Sequence, residues 1–156
     1  MHTIGRGRPN RAGRYAVALI RGTPLVAGTA EGTALVLGQP LSFWGGLDPG
    51  TGRIIDARHP QHGETVTGRV LVMPAGRGSS SSTTVIAEAI RLGTAPAAIL
   101  LARADVIIVV GVLAAADLYG RVVPVVKLPA ADLDSIPAGA RMDVRLDASI
   151  DVTAPA

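Results

Sequence analysis

The sequence predicts an α/β domain with a mainly parallel sheet and a front half that is rich in β-structure. In the second half, short apolar runs of strand length alternate with segments of helical periodicity. Strands separated by helices pair in parallel through right-handed crossovers. In the first half, apolar runs are separated by glycine and proline, which is typical of strands joined by loops. The chain has 156 residues, 48 % of them hydrophobic, which suits one folded domain.

The front half contains two predicted strands, at residues 15–20 and 33–37, joined by a segment punctuated by glycine and proline. Residues 38–68 are rich in loops, with a short strand predicted at Ile54 and Ile55. A loop of this length is uncommon in a compact domain and is usually functional when ordered. We expect residues 1–14 to be a flexible basic tail and residues 15–150 to form the single domain.

The second half alternates predicted strands and helices. The strands cover residues 69–73, 97–101, 106–110, 122–126 and, as a half-exposed strand, 141–146. The helices cover residues 83–92 and 112–119. The first helix places Val85, Ile86, Ala89 and Ile90 on one face, and Gly93 follows where a C-terminal cap is expected.

The charge distribution excludes several classes of protein. The first 21 residues hold five arginines and no acid, leaving ten basic and twelve acidic residues in the remainder. Because no basic stripe or exposed aromatic platform accompanies this tail, we expect no nucleic-acid partner. No apolar run approaches the roughly 20 residues of a membrane helix, and the start of the chain lacks the apolar core of a secretory signal. These features predict a cytoplasmic protein without a membrane partner.

The chain contains no cysteine, so it forms no disulfide and supplies no thiolate to an iron–sulfur cluster or zinc. His59 and His62 share one loop, but no third metal ligand occurs at a regular spacing. A structural or solvent-exposed role is therefore predicted for both histidines, and no metal site is predicted on this chain.

A loop rich in glycine and serine joins the predicted strand 69–73 to the predicted helix 83–92. Gly76 and Gly78 allow backbone conformations that a side chain would hinder. The serines from Ser79 to Ser82 place hydroxyl and backbone N–H groups at a helix N-terminus, which suits a phosphate or carboxylate. Arg77 adds a guanidinium for bidentate contact with such an anion. We predict an anion or substrate site here, and for Ser82 only a helix-capping role.

Standard motifs do not account for this loop. It lacks the lysine of a Walker A loop, and Ser81 stands where the dinucleotide fingerprint has its third glycine. It also lacks the second glycine of a hydrolase nucleophile elbow. A second loop, rich in glycine and proline, carries Ser42, Phe43 and Trp44. It is either a substrate-cavity wall or docking surface or a packed loop that covers the core.

Two motifs in this order resemble the small subunit of aconitase X dehydratases. The first is Pro40-Leu-Ser-Phe-Trp-Gly-Gly-Leu-Asp-Pro-Gly-Thr-Gly52, followed by Asp56, His59-Pro60 and Gly63. The second is Met73-Pro-Ala-Gly-Arg-Gly-Ser79. The resemblance covers roughly residues 17–147. It implies a swivelling β/β/α fold like the fourth domain of aconitase, a hydro-lyase active only with a large subunit, and an iron–sulfur or iron centre on that subunit.

The resemblance also implies the roles of individual residues. Ser79 corresponds to the serine that accepts the proton. The residues expected to bind substrate around it are Arg77, Gly78, Ser80, Ser81, Ser42, Phe43 and Trp44. Aconitase has an arginine two positions after its serine, where this chain has Ser81, which argues against a tricarboxylate substrate.

Two substrates are known in the group, cis-3-hydroxy-L-proline and mevalonate 5-phosphate. The unbroken run from Ser79 to Ser82, together with Phe43 and Trp44, favours hydroxyproline. The small subunit of a phosphomevalonate dehydratase is the first alternative, and a non-catalytic module that binds an anion or other ligand is the second. A phosphocarrier domain is disfavoured because the loop contains no histidine.

Overall fold

A computed structural model of the protein describes residues 18–155. Within this range there are ten strands and four helices. The strands are β1 (Ala18–Arg21), β2 (Thr23–Val26), β3 (Ala30–Val36), β4 (Leu47–Asp48), β5 (Arg53–Ile54), β6 (Val70–Met73), β7 (Ala98–Leu101), β8 (Val125–Lys127), β9 (Arg141–Val144) and β10 (Ser149–Thr153). The helices are α1 (Phe43–Gly46), α2 (Ser82–Leu92), α3 (Val106–Tyr119) and α4 (Ala130–Asp134).

Eight of the strands form one sheet in the order β1-β10-β9-β3-β6-β7-β8-β2. The four strands β3, β6, β7 and β8 run parallel. Antiparallel pairing adds β9, β10 and β1 on one side and β2 on the other. The predicted α/β class is confirmed, with the parallel strands at the centre and the β-rich part of the chain around them.

The sheet curls into a nearly closed barrel because its two outermost strands are neighbours in sequence. β1 and β2 are separated only by Gly22, yet they stand at opposite ends of the strand order. Gly22 donates its N–H to the Ala148 carbonyl at 3.0 Å, while a Cβ at Gly22 would overlap the Val126 side chain. Glycine is required at this point because the backbone passes directly against β8.

The central strands are buried on both faces, which explains their continuous apolar sequence. In β6, Val70 and Val72 join the core inside the barrel, whereas Leu71 and Met73 join the core beneath α2 and α3. The two cores are separated by the sheet itself. Parallel strands covered in this way leave their loops at one edge, where a ligand site is expected.

The strand predicted at residues 106–110 is wrong, because these residues form the first part of α3. Asp105 accepts the N–H groups of Ile107 and Ile108 and so begins the helix. A short run of β-branched residues suits a strand by propensity, but periodicity alone cannot distinguish it from a buried helix. The helix predicted at residues 112–119 is the second part of the same element.

The other predicted elements occur near their expected positions, including the short strand at Ile54 and the helix predicted at residues 83–92. The elements that were not predicted are β2, β4, β10, α1 and α4. Residues 15–17 of the first predicted strand and the tail at residues 1–14 lie outside the described residues. None of the helices between residues 18 and 155 is long and apolar enough to cross a membrane.

Candidate functional site

A shallow cleft lies where the chain leaves β6 and β7. The loop after β6 supplies most of its lining, and the beginnings of α2 and α3 complete it. The lining includes Gly76, Arg77, Gly78, Ser79, Ser82, Asp105 and Phe43. The predicted glycine and serine loop is therefore in a cleft at the carboxyl edge of the parallel strands.

The loop is held in place by the segment that follows β3. Arg77 donates its N–H to the Leu41 carbonyl at 3.2 Å, and Leu41 forms a parallel bridge with Gly76. A Cβ at Gly76 would overlap the Asp105 carboxylate, and a Cβ at Gly78 would overlap the Ser42 hydroxyl. Gly78 also has a φ of 108°, which side chains disfavour. Glycine is therefore required at both positions, because the neighbouring side chains lie too close to leave room for a Cβ.

Ser79 is exposed at the rim of the cleft. Its Oγ accepts the backbone N–H of Ser81 at 3.1 Å, and its carbonyl accepts the N–H of Ser82 at 3.0 Å. A backbone donor aimed at a hydroxyl oxygen favours negative charge on that oxygen. The Ser81 N–H is therefore placed to stabilise negative charge on the Ser79 Oγ.

The beginning of α2 has no side-chain cap, although Ser81 occupies the N-cap position. The first-turn N–H groups of Thr83 and Thr84 donate to the carbonyls of Ser80 and Ser81, at 3.2 Å each. The N–H groups of Gly78, Ser79 and Ser80 have no partner among the described residues. The open donors of this site therefore precede the helix and do not belong to its first turn.

The remaining predicted residues of the loop differ in their surroundings. Arg77 is exposed and makes no ion pair within residues 18–155. Ser80 is exposed and Ser81 is partly buried, but neither belongs to the lining of the cleft.

A tight turn places the neighbouring aromatic side chains of Phe43 and Trp44 in different surroundings. Trp44 and Gly45 have the dihedral angles of a type II β-turn, with φ of 76° at Gly45. Phe43 is only 2 % exposed and forms part of the cleft wall. The Trp44 side chain is 57 % exposed and lies outside the lining. Ser42 donates its hydroxyl to the Trp44 carbonyl at 2.9 Å.

Two lining residues were not predicted as part of the site. Asp105 caps α3, since its Oδ1 accepts the N–H groups of Ile107 at 2.9 Å and Ile108 at 3.3 Å. Its position just before an apolar run is a typical start of a helix. Ser82 was predicted only to cap a helix, and this is wrong. It is the first residue of α2, and its Oγ accepts the Trp44 N–H at 3.0 Å.

His59 has a structural role, as predicted. It is 5 % exposed, its Nε2 lies 3.0 Å from the Gln39 carbonyl, and its Nδ1 accepts the Gln61 N–H at 3.1 Å. Among residues 18–155, no group of three histidine, aspartate or glutamate side chains could hold a metal ion. Because the chain also lacks cysteine, its residues do not fit the iron–sulfur cluster that the family resemblance implies.

Comparison with known proteins identifies the domain. The sequence profile of the aconitase X swivel domain matches residues 19–153. The chain belongs to this family. The crystal structure of the holo-form of Thermococcus kodakaraensis aconitase X resembles this swivel domain with a TM-score of 0.78 and 30 % identity. The match covers 88 % of this chain and 99 % of that chain. The resemblance inferred from the two motifs is confirmed.

Two named relatives illustrate different chain organisations. A cis-3-hydroxy-L-proline dehydratase from Pseudomonas aeruginosa is 46 % identical over 104 residues, which are 67 % of this swivel domain and 18 % of the relative. A phosphomevalonate dehydratase small subunit from Methanothermobacter thermautotrophicus is 42 % identical over 121 residues, covering 78 % and 87 % of the two chains. The swivel domain thus spans about one fifth of the hydroxyproline dehydratases it matches.

Proposed function

We propose that this swivel domain is the small subunit of an aconitase X-type hydro-lyase that dehydrates cis-3-hydroxy-L-proline, with Ser79 as the proton acceptor. The observation that carries the proposal is the position of Ser79 in a chain of this family. Its Oγ lies at the rim of a cleft and accepts a backbone N–H at 3.1 Å. The same loop carries Arg77 and the three N–H groups of Gly78, Ser79 and Ser80, which have no partner among the described residues.

The proposed base requires an environment that stabilises an alkoxide, because a serine hydroxyl is a weak base in water. The Ser81 N–H donates directly to Oγ, and the beginning of α2 adds a partial positive charge. Donors fixed in advance stabilise developing charge without reorganisation. Ser79, as an alkoxide, takes the proton from the carbon that bears the substrate carboxylate, and the electron pair of that C–H bond forms the new double bond. The neighbouring carbon releases its hydroxyl group as hydroxide, which leaves as water after it takes up the proton that Ser79 gave up.

The substrate carboxylate is assigned to Arg77 and to the N–H groups of Gly78, Ser79 and Ser80. Arginine binds a carboxylate in bidentate geometry, and consecutive backbone donors before a helix suit the same anion. Ser80 and Ser81 contribute through their backbone. Phe43 forms part of the cleft wall, and the Ser42 hydroxyl lies against Gly78 beside it. Trp44 is assigned to contact with the substrate or the partner from outside the cleft.

The partner in this proposal is the large subunit, in a heterodimer or a higher assembly. The relatives support this division, because the region that matches 67 % of this chain is only 18 % of a much longer hydroxyproline dehydratase chain. Since this chain has no cysteine, we assign the iron–sulfur or iron centre to the large subunit. Docking of the two subunits would exclude water from the exposed cleft and strengthen its electrostatic interactions.

Phosphomevalonate is the second candidate substrate. It is favoured by the size of this chain, which matches 87 % of a free-standing phosphomevalonate dehydratase small subunit. Hydroxyproline is favoured by the unbroken serine run and by the aromatic pair. Both substrates carry a carboxylate, so the roles of Ser79 and Arg77 are the same in either case.

The test is an assay of the chain co-expressed with its large subunit, with each substrate in turn. Ser79→Ala is expected to lower kcat by about 10²- to 10⁴-fold, the usual contribution of a positioned general base. Subunit association should persist, because the exposed hydroxyl contributes little packing. Ser135→Ala, which removes the hydroxyl of an exposed serine after α4, is the matched control. Full activity of Ser79→Ala would remove Ser79 from the mechanism, and an inactive wild-type complex with both substrates would contradict the proposed function.

A further inference from the structure

Ser82 differs from the other serines of the loop in its burial and its hydrogen bonding. It is 4 % exposed and lines the cleft. Its Oγ accepts the Trp44 N–H at 3.0 Å, which joins α2 to the turn after β3. Ser80 and Ser81 are more exposed, and neither lines the cleft. Of the serines after Ser79, only Ser82 therefore combines burial with access to the cleft among the described residues.

The hydrogen-bonding capacity of Ser82 is only partly used. A hydroxyl group accepts hydrogen bonds and also donates one. The acceptor side of Ser82 is occupied by Trp44, but its own hydrogen has no acceptor among the described residues. A buried donor without a partner is unfavourable, and such groups in native proteins are usually satisfied by protein, water or ligand. Because Ser82 lines the cleft, a group bound there is within reach of this hydrogen.

We infer that Ser82 is a substrate-binding residue whose hydroxyl donates a hydrogen bond to the anionic group in the cleft. This inference rests on the proposed function for the identity of that anion, a carboxylate beside Ser79. The Trp44 N–H fixes the orientation of the Ser82 oxygen. Because the same bond holds the turn at Trp44 and Gly45 against α2, Ser82 connects the two segments that form opposite walls of the cleft.

The inference separates the four serines into distinct roles. Ser79 supplies the base, Ser80 and Ser81 supply backbone groups, and Ser82 supplies a second side-chain hydroxyl. The run of serines is thus not a uniform polar loop. Its first and fourth members, Ser79 and Ser82, line the cleft. The Ser82 N–H donates to the Ser79 carbonyl, and residues three apart lie on one face of such a turn.

The experiment compares Ser82→Ala with Ser135→Ala in the assembled complex. Ser135 is an exposed serine that follows α4, and its hydroxyl donates to the Asp132 carbonyl. Ser82→Ala is expected to lower kcat/KM by about 10- to 100-fold, as for the loss of a hydrogen bond to a charged group. Ser135→Ala should remain within about threefold of wild type. Equal activity of the two variants would overturn the inference.

Ser82→Ala also leaves the Trp44 N–H without its acceptor, so a second pair of variants guards against misfolding. Ser82→Thr keeps the hydroxyl, whereas Ser82→Cys offers only a weak donor and acceptor. Higher kcat/KM for the threonine variant supports the inference, and equal values for threonine and cysteine contradict it. Trp44 is the chain's single tryptophan, so its fluorescence in the free chain reports whether the turn has moved.

If the wild-type complex dehydrates neither substrate, the proposed function fails, and anion binding decides the inference. The free full-length chain is then titrated with acetate and with inorganic phosphate, and backbone amide shifts are followed by NMR. Shifts centred on residues 78–80 that are weakened by Ser82→Ala support the inference. An equal response in both proteins, or no response at these residues in wild type, overturns it.

Discussion

The beginnings of α2 and α3 occupy equivalent places in the fold but are built differently. Each helix follows a parallel strand and starts at the same edge of the sheet. The beginning of α3 is closed by its own carboxylate, because Asp105 accepts the N–H groups of Ile107 and Ile108. The beginning of α2 has no side-chain cap, and the loop before it carries three N–H groups without described partners.

The comparison gives a physical reason for proposing the substrate at one helix start and not at the other. Both ends carry the partial positive charge of a helix N-terminus. At α3 the fixed Asp105 carboxylate already stabilises that charge. At α2 the charge is accompanied by Arg77, and no side chain caps the helix. The end that is proposed to bind the anion is the one that lacks its own cap.

The largest effect is expected when a carboxylate is placed at the uncapped beginning of α2. Ser81→Asp places a carboxylate at the N-cap of α2 and should lower kcat/KM by about 10²-fold or more through repulsion of the anionic substrate. The same change should stabilise the isolated chain by up to about 1 kcal/mol through the helix dipole. Steady-state kinetics and denaturant unfolding measure the two effects. Ser81→Asn is the neutral control, and a similar loss of activity there would argue against the charge explanation.

The next largest effect is expected on substrate binding when the guanidinium of Arg77, in the loop before α2, is removed. Arg77→Ala should raise KM by about 10- to 100-fold with a smaller change in kcat, because the guanidinium binds the anion in ground and transition states alike. Arg141→Ala is the control, since Arg141 is an exposed arginine of β9 that pairs with Glu31. A fall in kcat at unchanged KM would instead assign Arg77 to the transition state alone.

A smaller effect is expected when the side-chain cap of α3 is removed. Asp105→Ala removes the cap of α3 and should destabilise the chain by about 1 kcal/mol, within the usual range for a helix cap. For a domain of this size that corresponds to a fall in Tm of about 2–4 °C. Calorimetry of the free chain measures it. Asp105→Asn retains a capping oxygen and should keep most of the stability; equal losses in both variants would contradict the capping role.

The smallest effect is expected from Ser81→Ala, because Ser81 occupies an N-cap position but its side chain makes no cap hydrogen bond. The change in unfolding free energy should stay below about 0.5 kcal/mol, as for an ordinary surface substitution. Denaturant unfolding of the two chains checks this. A loss as large as that of Asp105→Ala would mean that the two helix starts are capped alike, and the comparison would fail.

The local sequence was sufficient to predict elements whose structure depends on neighbouring residues. The face of α2 formed by Val85, Ile86, Ala89 and Ile90 predicts a helix, and these residues are buried in the structure. The order of strand, glycine loop and helix likewise predicted where Ser79 and Arg77 lie. Helical periodicity and the need for glycine in a tight loop both depend on residues that are close together in sequence. The family resemblance rests on the same two loops.

Tertiary packing decided the rest. The residues of α3 are apolar on all sides, so no periodicity distinguished its first five residues from a strand; the Asp105 cap and contact with α2 decide for a helix. The closed sheet depends on pairing between β1 and β10, residues far apart in sequence. Ser82 faces the cleft and Trp44 lies outside it because a turn after β3 meets α2, 38 residues later. Such contacts join distant segments, and local sequence cannot specify them.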